Sequence, residues 1–258
     1  MLQRRYLGVA LLSLLGCLNA QADEIRVVSS GGFAAAYQQL APRFEAQTGH
    51  HLQIAWGPSM GDTPNTIPQR LQRGEPIDVV IMAGDALETL VKRGQVDEPG
   101  HRSLALSKIS MAVRAGATPP DISTVDNLKQ ALLNAKSVAY SDSASGEYLS
   151  KVLFPKLGLS DALRDKAHKI PAEPVGKVVA RGEAELGFQQ TAELLPIPGI
   201  TIVGEIPAAV QQVTPFSAGI VSNSAVKPAA QALIDFLSSA GVAATVRSTG
   251  LTPVVYTP

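Results

Sequence analysis

Short β-branched runs alternate with amphipathic helical stretches along this chain. Residues 25–28 read as a strand. Residues 34–48 read as a helix with Ala36, Leu40 and Phe44 on one face and Gly49 as its stop. Residues 52–56 form the next strand, followed by a long polar loop over 57–68 and a short helix ending at Gly74. Residues 77–82 are a continuous apolar run around Asp78, the pattern of a strand covered on both faces, and 85–93 is again helical. This βαβαβα order predicts a parallel sheet with helices on both sides.

After Pro99 the pattern restarts. Strands are expected at 109–113, 137–140, 185–189, 200–203 and 216–221, and helices at 127–134, 147–157, 175–182, 228–239 and 242–248. Two α/β units result, each opening with a strand and a serine-rich turn, and no sequence repeat links them. The expected fold is therefore α/β and two-lobed. Lobe I takes residues 23–106 with about 224–258, and lobe II takes 107–223.

The first residues change the picture. Arg4 and Arg5 precede an apolar stretch over 7–18, too short to span a bilayer, and Ala20-Gln21-Ala22 fits a small-x-small cleavage site. A signal peptide over 1–22 and a periplasmic location are expected. Leu14-Leu15-Gly16-Cys17 is an alternative lipid-anchoring signal. Cleavage after Ala22 removes the single cysteine, leaving no disulfide, thiolate metal site or cysteine nucleophile. The 22 Lys and Arg balance the 22 Asp and Glu, with no basic cluster, which argues against nucleic acid as a partner.

Two loops follow strands and precede helices: 29–33 (Ser29-Ser30-Gly31-Gly32-Phe33) and 141–148. A helix N-terminus presents unpaired N–H groups and the positive end of its dipole, so each loop is suited to an anion. Ligands of open α/β sheets sit beyond the carboxyl ends of the strands. Serine is also a preferred helix cap, so one such loop alone says little; two in one exported chain point to a ligand.

The run from Phe33 to Asp97, with Arg43-Phe44-Glu45-x-x-Thr48-Gly49 and Gln72-Arg73-Gly74-Glu75-Pro76-x-Asp78-Val79-Val80, resembles the periplasmic molybdate-binding proteins of ABC transporters, within the type II solute-binding proteins. Val178-Val179-Ala180-Arg181-Gly182-Glu183-Ala184-Glu185-Leu186-Gly187-Phe188 and Gly250-Leu251-Thr252-Pro253 carry the resemblance onward. It implies a Venus-flytrap fold of mostly parallel sheets flanked by helices, with ligand held between the lobes. The family's two site serines fall on Gly32, with Ser29 and Ser30 adjacent, and on Ser59. Its second-lobe amides fall on Ser145 and Val175, and its tyrosine on Gln190, or on Gln189 with a slip of one. Two of three side-chain donors are thus replaced, and the second loop is enlarged by Gly61 to Thr66. A site remodelled for a small organic carboxylate is expected, with donors from Ser29, Ser30, Gly31, Gly32, Ser59, Thr63, Asn65, Ser143, Ser145, Tyr148, Val175 and Gln190. Molybdate or tungstate is the alternative ligand, and a sensor or chemoreceptor the alternative to uptake.

Other chemistry fits less well. Gly57-Pro58-Ser59-Met60-Gly61 matches G-x-S-x-G, but Pro64 and Pro68 follow where a nucleophile elbow needs a helix, and no late histidine supplies the base. Adjacent His50 and His51 point to opposite faces of a strand and cannot share an ion. Arg181 is a cation near the cleft in sequence, Trp56 a candidate stacking platform, and Asp78 and Asp85 structural acids. The expectation is a monomeric binding protein without catalytic activity, cofactor or metal, delivering a small anion to an inner-membrane ABC permease.

Overall fold

The computed structural model describes residues 22–256, so all of the expected leader but Ala22, including Cys17, lies outside the described residues. The described residues open with β1 (Glu24–Ser29), α1 (Gly31–Thr48), β2 (His51–Trp56), α2 (Ile67–Gln72), β3 (Val79–Ala83) and α3 (Gly84–Lys92). Helix α1 turns Phe33, Ala36, Tyr37, Leu40 and Phe44 inward at helical spacing and ends at Gly49, whose φ of 77° is left-handed. Every residue of β3 is buried, as its unbroken apolar run predicts.

Next come β4 (Arg102–Ser107), β5 (Ile109–Arg114), α4 (Val125–Asn134) and β6 (Val138–Ser141). Helix α5 (Ala144–Tyr148) runs on through a π-turn at Leu149–Leu153 into α6 (Phe154–Lys156), and α7 (Ser160–Leu163) and β7 (Ala167–Ile170) follow. The chain continues through α8 (Val175–Ala180), β8 (Leu186–Gln190), α9 (Thr191–Leu194) and β9 (Ile200–Glu205), and closes with β10 (Thr214–Ile220), α10 (Lys227–Leu237), α11 (Ala243–Ser248) and β11 (Thr252–Pro253).

These strands form two sheets, six-stranded in the order β11-β4-β10-β3-β1-β2 and five-stranded in the order β7-β6-β8-β5-β9. Both are parallel at one end, where βαβ units supply the strands, and antiparallel at the other, where the chain enters and leaves. The two-lobed α/β architecture expected from the sequence is the one observed. Residues 214–220, expected in the second lobe, are hydrogen-bonded into the first sheet as β10. Strand β4 was not expected, because its Arg-Ser-Leu-Ala-Leu-Ser sequence has a weak apolar pattern; it gains its place by pairing with β10 and β11.

Among the described residues, the chain passes between the sheets twice. Only Lys108 separates β4 from β5, and residues 206–213 connect β9 to β10. The two passages are tied together: Lys108 Nζ meets Glu205 Oε2 at 2.8 Å, and the Gln211 side chain bonds both the Ile109 N–H (2.8 Å) and its carbonyl (3.0 Å). One apolar core packs α1 and α10 on the first sheet, and another packs α4 and the 144–157 helical run on the second. Helix α9 follows a strand of the second sheet, yet its Ala192 is buried in the first core. It therefore spans the base of the cleft.

Candidate functional site

Three strand-to-helix steps converge on one cavity of about 200 Å³. They are β1 into α1 (Ser30, Gly31, Gly32), β6 into α5 (Ser141 to Ser145) and β8 into α9 (Gln189, Gln190, Glu193). The loop after β2 contributes Trp56, Gly57, Pro58 and Asn65, the turn before α8 contributes Ala172 to Pro174, and β10 contributes Phe216. Both lobes thus line the cavity, at the carboxyl ends of their parallel strands.

Its polar groups include two that lack partners. Ser30 is 2% exposed, and its hydroxyl has no hydrogen bond. Gln190, also 2% exposed, donates from Nε2 to Thr214 Oγ1 at 3.1 Å and leaves its Oε1 unbonded. The reverse amide orientation would let the Thr214 hydroxyl donate to Oε1 and leave an NH₂ group as a donor. Buried polar groups are rarely left unpaired, so such atoms in a cavity wall mark where a ligand's oxygens belong.

The acidic residues differ in their engagements. Glu173 is held by Arg181, both carboxylate oxygens accepting at 3.0 Å. Asp142 accepts from the Ala172 N–H at 3.2 Å, and Ala172 sits at a left-handed φ of 61°. Among the described residues, Glu193 has no cation beside it. It lies against the first turn of α1, so close that a Cβ on Gly31 would stand 2.1 Å from its Oε1. Burial pushes the Glu193 carboxyl up to about 7, while hydrogen bonds from the Gln189 side chain and Gln190 backbone pull it down and the charge of Asp142 raises it. Among the described residues, no Lys or Arg lines the cavity. The donors it offers a ligand are backbone N–H groups, hydroxyls and amides, beside the three acids.

Of the residues expected at the site, Ser30, Gly31, Gly32, Asn65, Ser143, Ser145 and Gln190 come together around the cavity. The others are engaged elsewhere. Ser29 donates to the Ser30 carbonyl at 3.1 Å, Ser59 accepts from the Ala83 N–H at 2.9 Å, and Thr63 donates to Asn65 Oδ1 at 2.7 Å. The Val175 N–H donates to Gln189 Oε1 at 2.9 Å. Tyr148 donates to the Val210 carbonyl at 2.8 Å and faces a separate cavity shared with Lys151. Arg181, bound to Glu173 and Glu183, is a surface ion pair. Asp78 is buried against Arg26, as a structural acid should be. Trp56 lines the cavity, braced edge-on by Tyr37 with ring centroids 6.3 Å apart.

Glu193 was missed. Helix α9 has only four residues and ends before Pro196, so no periodicity announces it. The available signal was Gln190-Thr191-Ala192-Glu193 directly after a strand, the same strand-to-helix step as at Ser29 and Ser141.

Residues 25–252 match the profile of the family described as bacterial extracellular solute-binding protein. The chain belongs to that family. Among solute-binding proteins, it is 28% identical over 232 residues to the molybdate-binding protein ModA of Azotobacter vinelandii, covering 87% of each chain. The solved periplasmic molybdate-binding protein of that organism superposes with a TM-score of 0.69 at 24% identity, over 90% of this chain and 100% of that one. The resemblance to molybdate-binding proteins is thus borne out. The chain is also 51% identical over 253 residues, 98% of it and 97% of the other, to a Pseudomonas sp. protein named aconitate isomerase. That is an enzyme's name, and it overturns the expectation that this solute-binding protein has no catalytic activity. That expectation rested on the family resemblance and on the poor fit of the residues to a serine hydrolase or a metal site.

Proposed function

We propose that this protein is an isomerase of a small unsaturated tricarboxylate, aconitate or a close relative, acting outside the cytoplasm. The observation that carries the reading is the 51% identity, sustained over 98% of the chain, to a protein named aconitate isomerase. The cleft supports it. A carboxylate-rich ligand needs donors spread around it, and the first turns of α1 and α5, the Ser30 hydroxyl and the Gln190 amide surround one cavity. Family solute-binding proteins capture small anions between their lobes. Here closure would serve chemistry as well as affinity by excluding water and fixing the substrate's conformation.

Aconitate is a propene bearing three carboxylates, and its cis and trans forms differ only in arrangement about the double bond. The change needs neither redox chemistry nor a second substrate, but it does need a cleft that fixes the molecule's conformation and a group that can take up and return a proton so that the double bond shifts. Product is released to solvent. The signal peptide expected over residues 1–22 and the family's extracellular description support a periplasmic location.

The test is direct. Purified protein mixed with cis-aconitate should generate trans-aconitate, followed by proton NMR, and should approach the same mixture from either isomer. A rise in melting temperature with aconitate but no conversion would overturn the isomerase reading and leave a carboxylate-binding protein.

A further inference from the structure

We propose that Glu193 is the catalytic acid–base of this cleft, moving one proton between the two carbons that flank the substrate's central carbon. The proposal rests on the isomerase reading and adds the residue that performs it. Three acids line the cavity, and their geometry separates them. Glu173 is clamped by Arg181 through two 3.0 Å bonds, and Asp142 holds the strained Ala172 backbone. Among the described residues, Glu193 has no cation beside it and braces no left-handed residue; its hydrogen bonds come from neutral donors, the Gln189 side chain and the Gln190 backbone at the start of its own short helix. It sits at the base of the cleft, on the short helix that joins the second sheet to the first core, beside the first turn of α1. A substrate carboxylate held at that turn brings its neighbouring carbons to the same carboxyl group.

The step balances within the substrate. The Glu193 carboxylate takes a proton from the methylene carbon, and the C–H electron pair spreads over the three-carbon unit into the attached carboxylates. The same carboxyl returns a proton to the former vinylic carbon, and the double bond moves by one position. Because the substrate is the same at both ends of that unit, the product is again aconitate. Its geometry is set by the conformation about the former single bond when the proton leaves. No double bond is twisted and no co-reactant is required. The negative charge that develops on the substrate's carboxylate oxygens lies near the N–H groups of α1 and the Ser30 hydroxyl, where donors aimed at developing charge act most strongly. Gly31 is what allows this approach, since any side chain there would push the carboxyl aside. Burial holds the Glu193 proton affinity near neutrality, where one group can both accept and return a proton, with Asp142, Glu173, Gln189 and the α1 terminus as its polar surroundings.

The experiment compares the parent protein with Glu193→Gln and Glu193→Asp, using cis-aconitate deuterated at its methylene carbon. The parent should place residual deuterium on the vinylic carbon of trans-aconitate, and its kcat/KM should rise with pH through about 7. Glu193→Gln should lose about 100-fold or more in kcat, the range for removing a general base, while aconitate still raises its melting temperature. Glu193→Asp should retain part of the activity with the pH limb displaced. Deuterium remaining wholly on the methylene carbon would overturn the proton shift. A Glu193→Gln variant within tenfold of the parent, or one that no longer binds aconitate, would overturn the assignment of this residue. A parent protein that does not convert aconitate at all would instead sink the isomerase reading itself.

Discussion

At the scale of single residues, the cleft holds polar groups whose ordinary partners are missing, and their behaviour without ligand is informative. The Glu193 carboxyl is raised from its ordinary value of 4.5 to about 7. A carboxyl raised by folding binds its proton more tightly in the native than in the unfolded state. Its contribution to stability is therefore most favourable below about 4.5, declines as pH rises through about 7, and is flat above. Glu193→Gln should accordingly melt higher than the parent at pH 8 and differ little near pH 4.5, by calorimetry across that range. Equal melting differences at both pH values would mean that Glu193 is well solvated. Ser30 tests the anion-donor role. Ser30→Ala removes an unpartnered hydroxyl, so the ligand-free protein should lose no stability. Aconitate affinity, by titration calorimetry, should weaken by roughly tenfold or more, the effect of one hydrogen bond to a charged group at about 1.5–3 kcal/mol.

At the scale of elements, one contact concerns how the lobes meet and another how the first sheet is tied together. Gly61, in the enlarged loop after β2, has a φ of 108°, and a Cβ there would stand 2.8 Å from the Asp142 carbonyl oxygen across the cleft. Gly61→Ala combines backbone strain of about 1–2 kcal/mol with a clash that exists only when the lobes are together. Aconitate affinity should fall about tenfold or more; an unchanged affinity would mean that this loop plays no part in closure. Within the first sheet, Asp78 accepts from Arg26 Nε (2.9 Å), the Arg26 N–H (2.9 Å) and the Ser224 hydroxyl (2.8 Å), tying β1 to the segments beside β3 and β10. Asp78→Asn should cost about 1–3 kcal/mol in chemical denaturation, since the buried carboxylate loses charge-assisted hydrogen bonds to a partly exposed Arg26. Elements of this kind were legible in the sequence where the apolar pattern was strong, as in α1, β3 and α10. They were not where an element owes its form to its neighbours. Strand β4 is held by pairing with β10 and β11, and the four-residue α9 by packing of Ala192 into the opposite lobe's core. Sequence periodicity carries no information about such contacts.

At the scale of the whole molecule, the two-lobed fold was readable because two α/β runs and a family resemblance pointed the same way. The path between the lobes was less so: β10 returns to the first sheet within a stretch expected in the second. The serine-rich turns at Ser30 and Ser143 were read as anion-binding steps, and both line the cavity. Ser59, Thr63 and Tyr148 were hydroxyls in suitable loops, but each meets a partner that only the folded chain supplies. Glu193, the proposed acid–base, was the larger miss, because it is delivered by the least conspicuous helix. A fold shared with molybdate-binding proteins does not set the chemistry performed in its cleft; the residues lining that cleft do. The most direct measurement of the central claim is proton NMR of the purified protein with cis-aconitate. The account predicts trans-aconitate accumulating at a rate proportional to protein concentration. A spectrum of unchanged cis-aconitate, matching a protein-free control, would contradict it.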